Sequence, residues 1–162
     1  MFKIEQASDA DIALIRKLCF QVWPQTYSSI LSNQQIEYML EMMYSEASLQ
    51  KQMTDGAKFI FVYDENDPVG FASYQEIKPC FFKLHKIYVL PSQQGKGSGK
   101  FVIEHILSEI KKENATALQL QVNRGNKARN FYEKLGFVVI EEIDLDIGKG
   151  YVMDDYIMEK KL

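Results

Sequence analysis

The run Gln93-Gln94-Gly95-Lys96-Gly97-Ser98-Gly99-Lys100 follows the apolar stretch Leu84 to Leu90 and opens an amphipathic segment, so strand, tight loop and helix must succeed one another here. Three glycines at alternate positions let the backbone approach an anion without interference from Cβ atoms. The helix that follows offers free N–H groups and the positive end of its dipole. The loop reads as a pyrophosphate cradle, and a phosphorylated cofactor is expected.

Spacing decides which cofactor. A P-loop places four residues between its glycines, followed by Lys and Ser or Thr. Gly95 to Gly99 is one residue short of that, and Phe101 follows Lys100. The dinucleotide fingerprint needs a third glycine three residues after its second, but Lys100 or Val102 occupies that place in the two possible frames.

The loop does resemble the acyl-coenzyme A loop of the GNAT superfamily of N-acetyltransferases: Gln or Arg, two residues, Gly, one residue, then Gly or Ala. Here these are Gln94, Gly97 and Gly99. Leu84-His85-Lys86-Ile87-Tyr88-Val89-Leu90-Pro91 is similar to that family's central strand. Asn123 to Phe137 resembles its second signature, an Asn-rich turn leading into a helix that ends Tyr-x-x-x-Gly-Phe. Both signatures stand in the family's order.

At 162 residues with 46% hydrophobic content, the chain can bury one sizeable core and reads as one domain, which the resemblance implies is an N-acetyltransferase domain over 1–162. A net charge of −3 leaves no basic footprint for nucleic acid. Cys19 and Cys80 are too few for a disulfide framework and have no metal-type spacing, so both are expected to be buried small hydrophobes and no metal is expected. Met1-Phe2-Lys3-Ile4-Glu5 lacks the apolar core of a signal peptide and no stretch reaches transmembrane length, which predicts a cytoplasmic protein without membrane contact. Oligomeric state is left open, with a homodimer one arrangement.

Periodicity predicts a strand over 2–7 and then a helix started by the capping-box pair Ser8 and Asp11, turning Ile12, Ile15, Cys19 and Val22 inward and ended by Pro24. Ser32 and Gln35 cap a second helix, with a helical turn over 45–53. Runs 57–63 and 69–77 form a hairpin across Asp64-Glu65-Asn66-Asp67-Pro68, and a fourth strand follows Pro79. Phe101 to Lys112 has helical spacing, Leu118, Leu120 and Val122 alternate as in a strand, and a short helix from about Lys127 closes at Gly136. A hairpin over 137–147 and 151–160 completes an α/β fold: a mixed, mostly antiparallel sheet of six to seven strands with helices on both faces. The resemblance adds that strands four and five run parallel and splay apart to admit the pantetheine arm.

It also implies acetyl transfer from acetyl-CoA to a primary amine by direct attack in a ternary complex. The amine must lose its proton, since an alkylammonium has a pKa near ~10.4 and no lone pair. The thioester carbonyl must be polarised, in the family by a backbone N–H on strand four, here Val89 or its neighbours Ile87 and Tyr88. The departing thiolate must be protonated. Tyr132, four residues before Gly136, occupies the family's acid position, though a tyrosine there can equally pack on the sheet. Cofactor contacts are expected from Ile87, Tyr88, Val89, Gln94, Gly95, Lys96, Gly97, Ser98, Gly99, Lys100, Asn123, Asn126, Tyr132 and Lys134; for the two Asn, turn chemistry is a concurrent reading.

His85 is the leading base, because an imidazole with pKa near ~6.5 suits proton abstraction, with Glu76 and Tyr27 as alternatives. His105 is expected on the surface. Family substrate sites are built by the first two helices and the last hairpin, which points to Trp23, Tyr27 and Tyr38, with Glu76 nearby. The same aromatic and Met cluster at helical spacing also reads as core. Trp23 to Tyr27 followed by Tyr38 is loosely similar to bacterial polyamine acetyltransferases, and the acidic residues of the last hairpin would favour a cation. The alternatives are a protein N-terminal or lysine acetyltransferase and a non-catalytic acyl-CoA-binding module.

Overall fold

Alternating apolar residues define the strands, which in the computed structural model of residues 1–162 are β1 (Phe2–Gln6), β2 (Lys58–Asp64), β3 (Asp67–Lys78), β4 (Phe81–Val89), β5 (Ala117–Asn123), β6 (Val138–Gly148) and β7 (Tyr151–Lys161). The helices are α1 (Ile12–Tyr27), α2 (Asn33–Tyr44), α3 (Glu46–Thr54), α4 (Ser98–Lys112) and α5 (Ala128–Lys134). The strands form one sheet in the order β1-β2-β3-β4-β5-β7-β6, in which only the β4–β5 pair is parallel. The mixed, mostly antiparallel α/β architecture expected from the sequence is therefore present.

Two apolar layers fix the helices. Val102, Ile103, Ile106 and Ile110 of α4 pack with Tyr132 of α5 over Ile60, Phe82, Leu84, Leu118 and Leu120. On the other face Ile15, Cys19 and Trp23 of α1, Ile36 and Met39 of α2 and Leu49 of α3 cover Phe59, Phe61 and Phe71. Ser32 and Ser45 cap α2 and α3, accepting from the N–H groups of Gln35 (3.1 Å) and Ser48 (3.2 Å). No helix is long and apolar enough to cross a membrane.

Three local expectations differ from the structure. Pro24 does not end α1, which continues to Tyr27. A proline inside a helix forfeits one hydrogen bond and crowds the carbonyl four residues back. Burial outweighs this: Trp23 and Tyr27 are 2% and 8% exposed and pack in a tilted pair with ring centroids 4.6 Å apart. Cys80 is only half buried, because it forms the left-handed corner between β3 and β4 at φ 63°. His105 is half buried rather than exposed.

The register of β4 shifts at one point that matters for function. Lys86 pairs with Ser73 and Leu84 with Tyr74, which leaves His85 as an extra residue on β4. Such a bulge reverses which face later side chains address. Leu84 faces the α4 layer, whereas beyond the bulge Tyr88 joins the α1 layer and Ile87 and Val89 return to the α4 layer.

Candidate functional site

Parallel pairing between β4 and β5 ends at Leu84 and Leu120, although β4 continues to Val89 and β5 to Asn123. On its other side β4 stays paired with β3 as far as Val89 and Gly70. The sheet is thus open between the two strands just past the His85 bulge. The opening holds a cleft of about 560 Å³ lined by Ile87, Tyr88 and Val89, by the glycine loop, by Leu120 and Val122, and by Asn126, Phe131 and Tyr132.

The glycine loop sits at one end of this cleft. Gly95 and Gly97 have φ of 82° and 88°, and a Cβ built on either meets nothing within 4 Å. Their backbone conformation, not crowding, demands glycine, and the space before them stays open. Gly99 differs: a Cβ there would stand 3.2 Å from the Phe131 ring, so this glycine seats α4 against α5. The first α4 bond runs from the Phe101 N–H to the Gly97 carbonyl (3.0 Å), leaving the N–H groups of Ser98, Gly99 and Lys100 ahead of it. Ser98 is 1% exposed and its hydroxyl has no hydrogen-bond partner. Unpaired donors, an unpaired buried hydroxyl and a left-handed turn at a helix start fit the pyrophosphate of a coenzyme A-type cofactor.

Gln94 and Lys100 line the cleft, and so does Lys127, which was not anticipated. Lys96 and Lys134 are exposed and lie outside its lining. Asn126 faces the cleft while its Oδ1 accepts from the Ala128 N–H at 2.9 Å. Asn123 Oδ1 accepts from the Gly125 N–H at 2.8 Å, and Asn123 faces a different cavity.

Tyr132 is 8% exposed and reaches the cleft from α5, its ring held edge-on by Phe131 (5.4 Å) and Phe137 (5.9 Å). Burial raises its pKa, so its hydroxyl proton is retained at neutral pH. Tyr27 and Tyr88 meet on the α1 face of the sheet, with hydroxyls 3.0 Å apart, and burial raises both of their pKa values.

A second cavity, of about 200 Å³, lies on the α1–α2 side. It shares Tyr27, Leu84, His85, Lys86, Tyr88 and Gln121 with the cleft, so the two spaces meet at the gap in the sheet. Trp23, Met39 and Met43 come from the helices, Lys83 from β4, Asn123 from β5 and Asp155 from β7. The helical aromatic and Met residues serve as core and as cavity wall together, since Trp23 and Met39 are also buried. The two-cavity arrangement can hold two ligands at once with their ends adjacent.

His85 faces both spaces, and its Nε2 lies 3.0 Å from Gln75 Oε1. Partial burial, then the charges of Lys83 and Lys86, lower its pKa to about 4, so although more than a third of it is open to solvent it is a neutral and weak base. Burial lowers Lys86 to about 8, and its Nζ rests 5.1 Å over the Tyr44 ring. Asp155 is 2% exposed; burial, then the neighbouring Asp154, raises it to about 6 against the pull of Arg124 and Lys83.

Two residues expected at the acceptor site lie elsewhere. The Tyr38 hydroxyl donates to the Ile147 carbonyl at 2.5 Å and tethers α2 to the last hairpin, outside either lining. Glu76 is exposed on β3 beyond the bulge and lines neither space. Of the acidic hairpin residues, Glu141, Glu142, Asp144 and Asp146 are exposed and only Asp155 reaches the cavity. Lys83, Lys86 and Gln121 are the site residues that sequence reasoning missed, and Asp155 was singled out only as one of the acidic residues of the last hairpin. The signal for Asp155 was its place on a strand whose alternation turns it inward between Tyr156 and Asp154.

Residues 28–152 match the acetyltransferase (GNAT) domain family. The chain is 26% identical over 165 residues to the spermidine N(1)-acetyltransferase of Thermoplasma acidophilum, covering 98% of this chain and 96% of that protein. It is 34% identical to the ribosomal protein bS18-alanine N-acetyltransferase of Haemophilus influenzae over 88 residues, which span 54% of this chain and 56% of that protein. Among solved structures, the PaiA N-acetyltransferase of Thermoplasma acidophilum in complex with coenzyme A superposes with a TM-score of 0.83 at 26% identity, over 100% of this chain and 99% of that one.

Proposed function

The chain belongs to the GNAT acetyltransferase family, and on that premise we propose that it acetylates the primary amine of a small molecule, with both substrates bound together in the two joined cavities. The observation that carries this reading is the shared wall: six residues, Tyr27, Leu84, His85, Lys86, Tyr88 and Gln121, border both spaces at the gap between β4 and β5. A cavity of about 200 Å³ under Trp23 and Tyr27 suits a small acceptor better than a peptide groove. The relative named for spermidine, alike over nearly the whole chain, supports the same class.

Bound acetyl-CoA supplies the acetyl group as a thioester. Gly95, Gly97 and the first-turn N–H groups of α4 hold its phosphates, with Lys100 and Lys127 beside them. Backbone N–H groups of a strand point alternately to its two edges, so past Leu84 those of β4 that do not serve β3 face the gap, and Val89 or a neighbour offers a donor to the carbonyl oxygen. Tyr132 Oη keeps its proton until sulfur departs and delivers it there. Asp155, ionised at neutral pH, is a stronger base than His85 and faces the amine from β7, while His85, neutral and anchored by Gln75, orients the incoming group.

A second reading, acetylation of a protein N-terminus, is favoured by the bS18-alanine relative, whose likeness covers about half of either chain. Turnover of acetyl-CoA with free amines, spermidine among them, against peptides beginning with alanine separates the two. Free amines are expected to give the higher kcat/KM. A better peptide substrate would replace the small-molecule reading, and absence of turnover with either would leave a binding module.

A further inference from the structure

The second cavity gathers three charged groups that make no direct ion pair within the protein, Lys83 and Asp155 acting on each other only at longer range. Lys83 and Lys86 on β4 and Asp155 on β7 form none of the salt bridges in the molecule. Lys83 Nζ donates only to Gln121 Oε1, at 3.1 Å, and Lys86 rests on the Tyr44 ring. Charges withdrawn from water are costly unless something pairs with them. His85 adds no charge near neutral pH, so the cavity offers two cations on one wall and one anion on another.

From this arrangement we infer that the acceptor is an amine that also carries a carboxylate, a molecule of amino-acid type, with its carboxylate on Lys83 and Lys86 and its amine toward Asp155. A polyamine can satisfy Asp155 with one ammonium, but each further ammonium meets the two lysines. A zwitterion pairs all three charges. The lowered pKa of Lys86 supports the assignment, since a ligand carboxylate would restore the charge that burial opposes.

This inference rests on the second cavity being the acceptor site. Its test is a series of amino acids, each paired with its decarboxylated amine, together with spermidine, assayed with acetyl-CoA. The amino acids are expected to exceed their decarboxylated partners, and spermidine, by about tenfold or more in kcat/KM. Lys83→Glu should bring that ratio to unity or below and move spermidine ahead, and Lys86→Met should lower the ratio as well. Because each ratio is taken within one protein, loss of stability in a variant does not mimic the effect. Calorimetric titration of the CoA-saturated protein with the best amino acid adds a readout independent of turnover, and Lys83→Glu should abolish that heat. Amines acetylated without regard to their carboxylate, or a ratio unmoved by both substitutions, would overturn the inference while leaving the acceptor site in place. Acetylation of peptides alone would overturn the acceptor reading itself, and the inference with it.

Discussion

The hydroxyls of Tyr27 on α1 and Tyr88 on β4 stand 3.0 Å apart where the cofactor cleft meets the second cavity. Each hydroxyl is the other's side-chain hydrogen-bond partner, so Tyr27→Phe or Tyr88→Phe takes the partner from the hydroxyl that remains. Denaturant unfolding should show each single substitution costing about 1–3 kcal/mol and the double substitution costing less than the two together. Fully additive losses would mean that the two hydroxyls do not pair.

Replacement of Gly97 by Val should abolish tight CoA binding. The cost is conformational, since Gly97 sits at φ 88° and nothing in the protein crowds its Cβ position. A β-branched residue resists that backbone angle and projects into the open space before the α4 amides. Calorimetry is expected to show at least a hundredfold weaker CoA binding, about 2.7 kcal/mol, in a protein that still unfolds cooperatively. Affinity within a few-fold of the parent would remove the loop from the cofactor site.

Tyr132→Phe keeps the ring between Phe131 and Phe137 and removes only the proton. General acid catalysis contributes about 10²–10⁴-fold, and kcat should fall within that range. CoA affinity should stay within a few-fold. An unchanged kcat, with chemistry rate-limiting, would assign the proton to water.

Asp155 links pH to stability. Its folded pKa of about 6 lies above the ordinary 3.8, so the folded state binds this proton more tightly. The resulting stabilisation is full below about pH 4 and is lost as pH rises through about 6. Asp155→Asn removes the burden of the buried charge, and thermal melts should show it more stable than the parent at pH 8, by up to about 3 kcal/mol, and no different at pH 3.5. Its kcat/KM for amines should fall at pH 8. Greater stability with unaltered activity would make Asp155 structural alone.

Local signals carried most of the fold and the cofactor half of the site. The glycine run, the capping serine at 32 and the alternation of Leu118, Leu120 and Val122 act over a few residues, and each lies where its pattern indicated. Pro24 was misleading because helix propensity is local, whereas the burial of Trp23 and Tyr27 that overrides it depends on sheet residues far along the chain. The acceptor half was less legible for a related reason. Lys83, Lys86 and Asp155 become neighbours only through the strand order β4-β5-β7 and the bulge at His85, and neither leaves a periodic trace. Tyr38 has helical spacing with Met39, but its hydroxyl is taken by the Ile147 carbonyl.

Direct transfer between two ligands held together is the central claim, and the cysteines bear on it. Burial pushes Cys19 up to about 12, and Cys80 lines neither cavity, so no thiolate stands ready to carry an acyl group. Initial velocities measured over a grid of acetyl-CoA and amine concentrations test the claim most directly. Intersecting double-reciprocal lines, retained when both cysteines are replaced by Ala, are the predicted result; parallel lines, as a covalent acyl-enzyme requires, would contradict it.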